Sequence, residues 1–151
     1  MTARLPPSPR ASSASVRAVM QANKKRDTRP ERALRSALHG RGLRYRTDMK
    51  LGEGRSAPRP DVVFTRAKIA VFLDGCYWHG CPEHGVSPKT NSDYWSAKIA
   101  RNRARDAENT RMLESGGWLV MRVWEHEDPA EAAALIESVI VSRRTGTLEA
   151  V

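Results

Sequence analysis

The chain has 151 residues, enough for one domain with a real core, and it is 40% hydrophobic and 28% charged. No apolar run approaches the roughly 18 residues of a membrane span, and Arg4 and Arg10 have no apolar stretch behind them, so neither an anchor nor a secretory leader is expected and the cytoplasm is the expected compartment. The net charge of +9 is lopsided, with 17 Lys and Arg against 5 acids in residues 1–70 and 9 against 12 in residues 71–151, a polarity that suits a polyanion, nucleic acid first.

Residues 1–15 hold three prolines and four serines without apolar periodicity and read as a disordered tail, leaving residues 16–151 as a single domain. A short helix is expected from Val16 to about Asn23, followed by the basic turn Lys24-Lys25-Arg26. Thr28 can cap the next helix, with Pro30 in its first turn and Glu31 three residues after the cap. Ala33, Leu34, Ala37 and Leu38 form one apolar face of that helix, and Gly40 or Gly42 can end it. Leu43–Thr47 alternates as a strand does, and residues 52–60, with two glycines and two prolines, form a loop. Asp61–Thr65 and Lys68–Asp74 are β-branched or aromatic runs expected to pair, and the loop from Gly75 to Asn91 follows. A long helix from about Ser92 to Ser115 is expected to turn Trp95, Ile99 and Leu113 toward the sheet, with Gly116-Gly117 stopping it. Trp118–Trp124 reads as a fourth strand, its two tryptophans packed in the core, and Pro129 to about Ser142 as a final amphipathic helix. The order helix, three strands, helix, strand, helix is that of an α/β protein.

Cys76-x4-Cys81-x2-His84 puts three soft or borderline donors within nine residues. Zinc takes four such ligands in a tetrahedron, so a fourth must come from elsewhere. His126, just past the fourth strand, is the leading choice, because strands ending at one edge of a sheet bring distant loops together; His79 and His39 compete with it. The alternatives are a transient Cys76–Cys81 disulfide, which a reducing compartment disfavours, or two buried free thiols.

Pro60-Asp61 opens one strand and Asp74 ends the next, so the two carboxylates can meet at neighbouring strand ends around one cation. Hard oxygen donors with open water positions suit Mg²⁺, which also binds phosphate oxygens and activates water. His79 lies five residues beyond Asp74 and can act as general base or acid near neutral pH. Glu31 is either a helix-cap carboxylate or a group reaching a metal-bound water. Tyr77, Trp78 and Trp95 gather around the same loop, where exposed aromatics beside basic residues can stack on bases or wedge between them.

These residues resemble a known family, the very-short-patch repair (Vsr) DNA mismatch endonucleases. The matching stretches are Met20-Gln21-Ala22-Asn23 with Arg26-Asp27-Thr28-x2-Glu31, Arg59-Pro60-Asp61, Asp74-Gly75-Cys76-Tyr77-Trp78-His79-Gly80-Cys81-Pro82, Tyr94-Trp95, Lys98-Ile99, Asn102, Arg105-Asp106, Gly117-Trp118 and Val123-Trp124-Glu125. They run in the family's order over about residues 16 to 128, and the Cys-aromatic-Trp-His block is the most specific. The resemblance implies a restriction-endonuclease-like fold of the PD-(D/E)xK type, a mixed sheet flanked by helices with a structural Zn²⁺. It implies Mg²⁺-dependent nicking of duplex DNA 5′ to the thymine of a T·G mismatch left by deaminated 5-methylcytosine. The rival readings are a nuclease of the same fold that cleaves unmismatched sites and a zinc-stabilised DNA-binding module without catalysis.

By motif position Asp61 matches the family's metal-binding aspartate, His79 its catalytic histidine and Glu31 its helical glutamate, while Asp106 matches an acidic position that orients His79. Tyr77, Trp78 and Trp95 match intercalating aromatics, and Cys76 and Cys81 match zinc ligands. Met20, Lys24, Lys25 and Arg26 are the N-terminal residues expected on DNA. Two departures stand out: the best-known member has a histidine where Asp74 stands, and it has a cysteine where His126 stands with a different spacing near His84. A monomer is expected, with mismatch-repair proteins and a cytosine methyltransferase as family-level partners.

Overall fold

The computed structural model describes residues 7–11, 13–22, 27–76, 81–83 and 91–146. In chain order its elements are α1 (Ala14–Ala22), α2 (Arg29–Gly40), β1 (Val62–Phe64), β2 (Ile69–Asp74), α3 (Ser92–Ser115), β3 (Leu119–Trp124) and α4 (Pro129–Arg144). Of the expected tail, residues 1–6 and 12 lie outside the described residues, as does the basic turn at 24–26.

Local chemistry sets the helix ends. The Thr28 hydroxyl accepts from the Glu31 N–H at 3.4 Å, with Pro30 in the first turn of α2. The helix closes at Arg41, and Gly42 takes a φ of +74° that side-chain-bearing residues avoid. Asp128 caps α4 by accepting from the Ala130 and Glu131 N–H groups at 2.9 and 3.0 Å. Gly117, at φ +84°, turns the chain from α3 into β3.

The strands form one mixed sheet, order β1-β2-β3. β1 pairs antiparallel with β2, Val63 opposite Ala70, and β2 pairs parallel with β3, Val71 opposite Met121 and Asp74 opposite Trp124. A parallel pair needs a long crossover, and α3 supplies it. Alternate residues feed the two faces. Val62, Ile69, Val71 and Val123 join Leu34 and Leu38 of α2 and Ala133, Ile136 and Ile140 of α4 in the main core. Val63 and Ala70 join Leu51 and Leu113 of α3 in a smaller cluster on the other face, with Trp118 packed against it. The mixed sheet covered by helices makes this an α/β fold, and no helix among the described residues is long and apolar enough to cross a membrane.

Two expectations are corrected. Leu43–Thr47 is not a strand: Arg46 makes a single bridge to Val63, with both N–H···O bonds at 2.9 Å. Asp48 then adopts a φ of +54°, which turns the chain away before a second pair can form. On α3, Leu113 reaches the sheet, but Trp95 and Ile99 are only half-buried and belong to neither core cluster. A helix of 24 residues is about 36 Å long, while a strand of six spans about 20 Å, so the first turns of α3 run past the strands.

Candidate functional site

Because β2 and β3 run parallel and end together, the segments leaving them are held side by side. The Glu125 N–H donates to the Asp74 carbonyl at 3.0 Å, extending the ladder one step. Two residues beyond the Asp74–Trp124 pair in the same register come Cys76 and His126. The Cys76 Sγ lies 3.1 Å from the His126 Nδ1, and the Cys81 Sγ lies 3.7 Å from the same nitrogen. Cys81 returns to this point because its N–H donates to the Cys76 carbonyl at 3.0 Å. The donor atoms of Cys76, Cys81 and His126 all lie within 4.8 Å of one another, so the three can hold a metal ion.

The donor set suits zinc in length as well as chemistry. With Zn–S near 2.3 Å and Zn–N near 2.05 Å, a tetrahedral S···N edge is about 3.6 Å, between the two observed distances. The surroundings hold these donors in place: the Cys76 N–H donates to Glu125 Oε1 at 3.0 Å, and His126 Nε2 meets Glu83 Oε2 at 3.3 Å, leaving Nδ1 to face the sulfurs. The His126 ring stacks on Trp124 at 6.5 Å and 11°. Burial, with Cys81 and Glu125 adding to it, pushes the Cys76 thiol up to about 11. A bound cation would therefore displace the proton of the Cys76 thiol. His39 is elsewhere, edge-on to Tyr45 at 5.2 Å. His79 and His84 lie outside the described residues.

The carboxylates occupy the adjoining strand ends. Asp61 follows Pro60 into β1; its N–H donates to the Val71 carbonyl at 2.9 Å, and its Oδ2 accepts from the Leu73 N–H at 2.7 Å. Its other oxygen has no hydrogen-bond partner among the described residues. Burial raises its pKa to about 6; the Leu73 N–H and the charge of Arg35 work against this, whereas the charges of Glu31 and Asp74 add to it. Asp61 is thus a half-buried carboxylate with two acidic neighbours, an environment that a hard divalent cation relieves.

Glu31, at the start of α2, accepts from the Asp27 N–H at 2.8 Å and from Arg35 Nη2 at 3.2 Å, so it is both a cap carboxylate and a neighbour of Asp61. Asp74 is 6% exposed, and both its oxygens face Arg122 Nη1, at 3.1 and 3.2 Å. Glu31, Asp61 and Asp74 do not converge as tightly as the cysteine group; among the described residues only Cys76, Cys81 and His126 do so. The Asp106 carbonyl accepts from Arg122 Nη2 at 3.1 Å, which fixes this part of α3 against the sheet.

Of the residues expected on DNA, Trp95 lies on α3 with its ring edge-on to Tyr94 at 5.0 Å and Lys98 Nζ 5.3 Å from its centre. Met20 falls in α1, and Lys24, Lys25, Arg26, Tyr77 and Trp78 lie outside the described residues. Three participants went unread in the sequence: Arg122, Glu83 and Glu125. Arg122 had a signal, being the one cation in the apolar run Leu119–Trp124. Glu83 and Glu125 flank expected ligands, where a carboxylate partner for histidine or a backbone N–H is the usual support.

The family described as "DNA mismatch endonuclease Vsr" matches residues 11–83. The chain is 52% identical over 119 residues to "Type II nicking enzyme V.NaeI" of Lentzea aerocolonigenes, spanning 78% of this chain and 71% of that protein. It is 42% identical over 131 residues to "Type II nicking enzyme V.XorIIP" of Xanthomonas oryzae pv. oryzae, spanning 84% and 87%. It is 38% identical over 109 residues to "DNA mismatch endonuclease Vsr" of Escherichia coli (strain K12), spanning 70% and 66%. With relatives of this identity and coverage, the chain belongs to the Vsr family of endonucleases, hydrolases that act on DNA.

Proposed function

We propose that this endonuclease nicks one strand of duplex DNA 5′ to the thymine of a T·G mismatch, the lesion left by deaminated 5-methylcytosine, in a Mg²⁺-dependent reaction. The observation that carries this reading is Asp61, a half-buried carboxylate held by the Leu73 N–H at the same end of the sheet as the Cys76–Cys81–His126 group. The sheet with its flanking helices is read as a restriction-endonuclease-like core of the PD-(D/E)xK type, with residues 16–151 as one domain acting as a cytoplasmic monomer.

In this reading Zn²⁺ is held by Cys76, Cys81, His126 and His84, and the segment between the cysteines is braced for catalysis. Mg²⁺, when bound, supplies charge neutralisation at the phosphate and a more acidic water. Asp61 holds it, with the charge of Asp74 close by. His79, oriented by Asp106 or Glu31, takes the proton of the attacking water or gives one to the leaving oxygen. Tyr77, Trp78 and Trp95 stack at the mispaired step, where unstacking costs least. Met20, Lys24, Lys25 and Arg26 lie on the DNA, the cations on its phosphates, so binding weakens steeply as salt rises. Mismatch-repair proteins are the expected partners.

A second reading has the same chemistry on unmismatched sites, because the relatives named type II nicking enzymes carry no mismatch in their names. End-labelled T·G and T·A duplexes incubated with protein and Mg²⁺, then resolved on a denaturing gel, separate the two. The first reading expects a single nick in the T-bearing strand of the T·G duplex and an intact T·A duplex. Equal cleavage of both would overturn mismatch selectivity and leave the second reading.

A further inference from the structure

β3 is apolar except at Arg122, which stands opposite Phe72 of β2. A lone cation in such a strand needs an internal reason, and its contacts give one. The guanidinium lies 4.6 Å from the centre of the Phe72 ring. Its Nη1 sits between the two oxygens of Asp74, at 3.1 and 3.2 Å. Its Nη2 donates to the Asp106 carbonyl at 3.1 Å and to the Thr110 hydroxyl at 3.3 Å, and that hydroxyl donates in turn to the same carbonyl at 2.9 Å. One planar fork thus joins the end of β2, the middle of β3 and the inner face of α3.

This placement decides what Asp74 can do. The Asp74 side chain is 8% exposed, so the pair sits where charges are poorly screened. A cation ligated by Asp74 would have to share the carboxylate with a guanidinium already lying between its oxygens, setting two positive groups against each other. Asp61 has no guanidinium between its oxygens: the hydrogen bond on its Oδ2 comes from a neutral backbone N–H, and Arg35, whose charge also reaches it, is engaged with Asp27 and Glu31.

We propose that Arg122 is a positioning residue that withdraws Asp74 from the catalytic cation, leaving Asp61 as the carboxylate ligand and lowering the negative charge the cation meets. The inference rests on the reading of Asp61 as a Mg²⁺ ligand given above. It runs against the sequence expectation that Asp61 and Asp74 share one ion. It also ties the metal end to α3, because the same guanidinium holds the Asp106 turn.

The sign of the consequence is unusual and makes it testable. If Arg122 only supported the fold, removing it would weaken cation binding or leave it unchanged. If it holds Asp74 back, removing it adds one uncompensated negative charge and tightens binding. Mn²⁺ binding to the full-length protein, read by electron paramagnetic resonance alongside thermal melting, gives affinity independently of nicking. Arg122→Met should bind Mn²⁺ about tenfold more tightly. Arg122→Lys, which keeps the charge, should stay within about threefold of the parent. Asp74→Asn should weaken binding by about tenfold, the effect of one charge, and the double variant Asp74→Asn/Arg122→Met should return close to the parent.

A folded Arg122→Met with unchanged or weaker Mn²⁺ affinity overturns the proposal. Should that variant melt below the assay temperature, Asp74→Asn decides, since a loss well beyond about a hundredfold would make Asp74 a ligand. Asp61→Ala separates this inference from the reading beneath it. If Asp61→Ala keeps parental affinity, the assignment of Asp61 fails whatever Arg122 does. If it loses binding while the Arg122 variants leave affinity unmoved, only the role of Arg122 falls.

Discussion

Two groups of metal-type donors stand at the same end of the sheet, and they are put together in opposite ways. Cys76 and His126 face each other because two parallel strands end in register, and Cys81 returns by one backbone hydrogen bond. Each is then propped from behind, Cys76 through its N–H on Glu125 and His126 through Nε2 on Glu83. The carboxylates come from three separate elements, and each has prior engagements: Asp61 with the Leu73 N–H, Asp74 with Arg122, Glu31 with the Asp27 N–H and Arg35. The soft group is a bracket of three donors drawn together within reach of a single ion. The hard group keeps an excess of negative charge around Asp61, which suits a site completed only when cation and phosphate arrive.

The contrast breaks most sharply at Asp61. Asp61→Asn keeps an oxygen for the Leu73 N–H but removes the charge, and nicking should fall by about a thousandfold or more. Stability should move the other way, and the pH dependence fixes the sign. Folding raises the Asp61 pKa from 3.8 to about 6. The folded protein therefore holds the proton more tightly than the unfolded chain, and stability declines as pH rises through that window. Above it the burden is present in full. In metal-free buffer Asp61→Asn should thus melt higher than the parent at pH 7.5, by an amount on the order of 2–3 kcal/mol at most, with little difference at pH 4. Melting curves that differ equally at both pH values would remove the electrostatic contrast between the two groups.

The bracket is expected to respond as a structural unit. Cys76→Ser or Cys81→Ser should empty the site of zinc, measured by atomic absorption on the purified protein. Thermal stability should fall by roughly 3 kcal/mol or more, since binding energy at such sites is folding energy. Unlike Asp61→Asn, these variants lose activity and stability together. Zinc content unchanged in both variants would reject the bracket as a metal site.

Much of this arrangement was readable in the sequence where the signal is local. Thr28 with Glu31, Pro129, and the Gly116-Gly117 stop lie within a turn of the ends they set, and all mark helix ends in the fold. The antiparallel pairing of the two β-branched runs also comes from neighbours in sequence. Leu43–Thr47 misled because alternation records which side chains face inward, and says nothing of whether the chain stays beside β1; the turn at Asp48 takes it away. His126 could be brought to the cysteines on paper because strands were expected to end at a common edge. Arg122 could not be placed, because its meaning lies in Asp74, 48 residues earlier, and only the parallel register brings the two together.

Glu83 offers the finest test of how the bracket is held. Its Oε2 lies 3.3 Å from His126 Nε2, and a carboxylate there favours the tautomer that leaves Nδ1 to the metal. The Glu83 side chain is 70% exposed, so solvent screens the pair and the effect belongs at the low end of the usual range. Glu83→Gln should weaken zinc affinity by roughly tenfold, measured by competition with a chelating dye. The control is His126→Cys, which puts a thiolate where the best-known member of the family carries one. A thiolate has no second nitrogen to orient, so in that background Glu83→Gln should leave zinc affinity unchanged. An equal loss in both backgrounds would mean that Glu83 acts on the metal through its charge alone, and the tautomer argument for His126 would be lost.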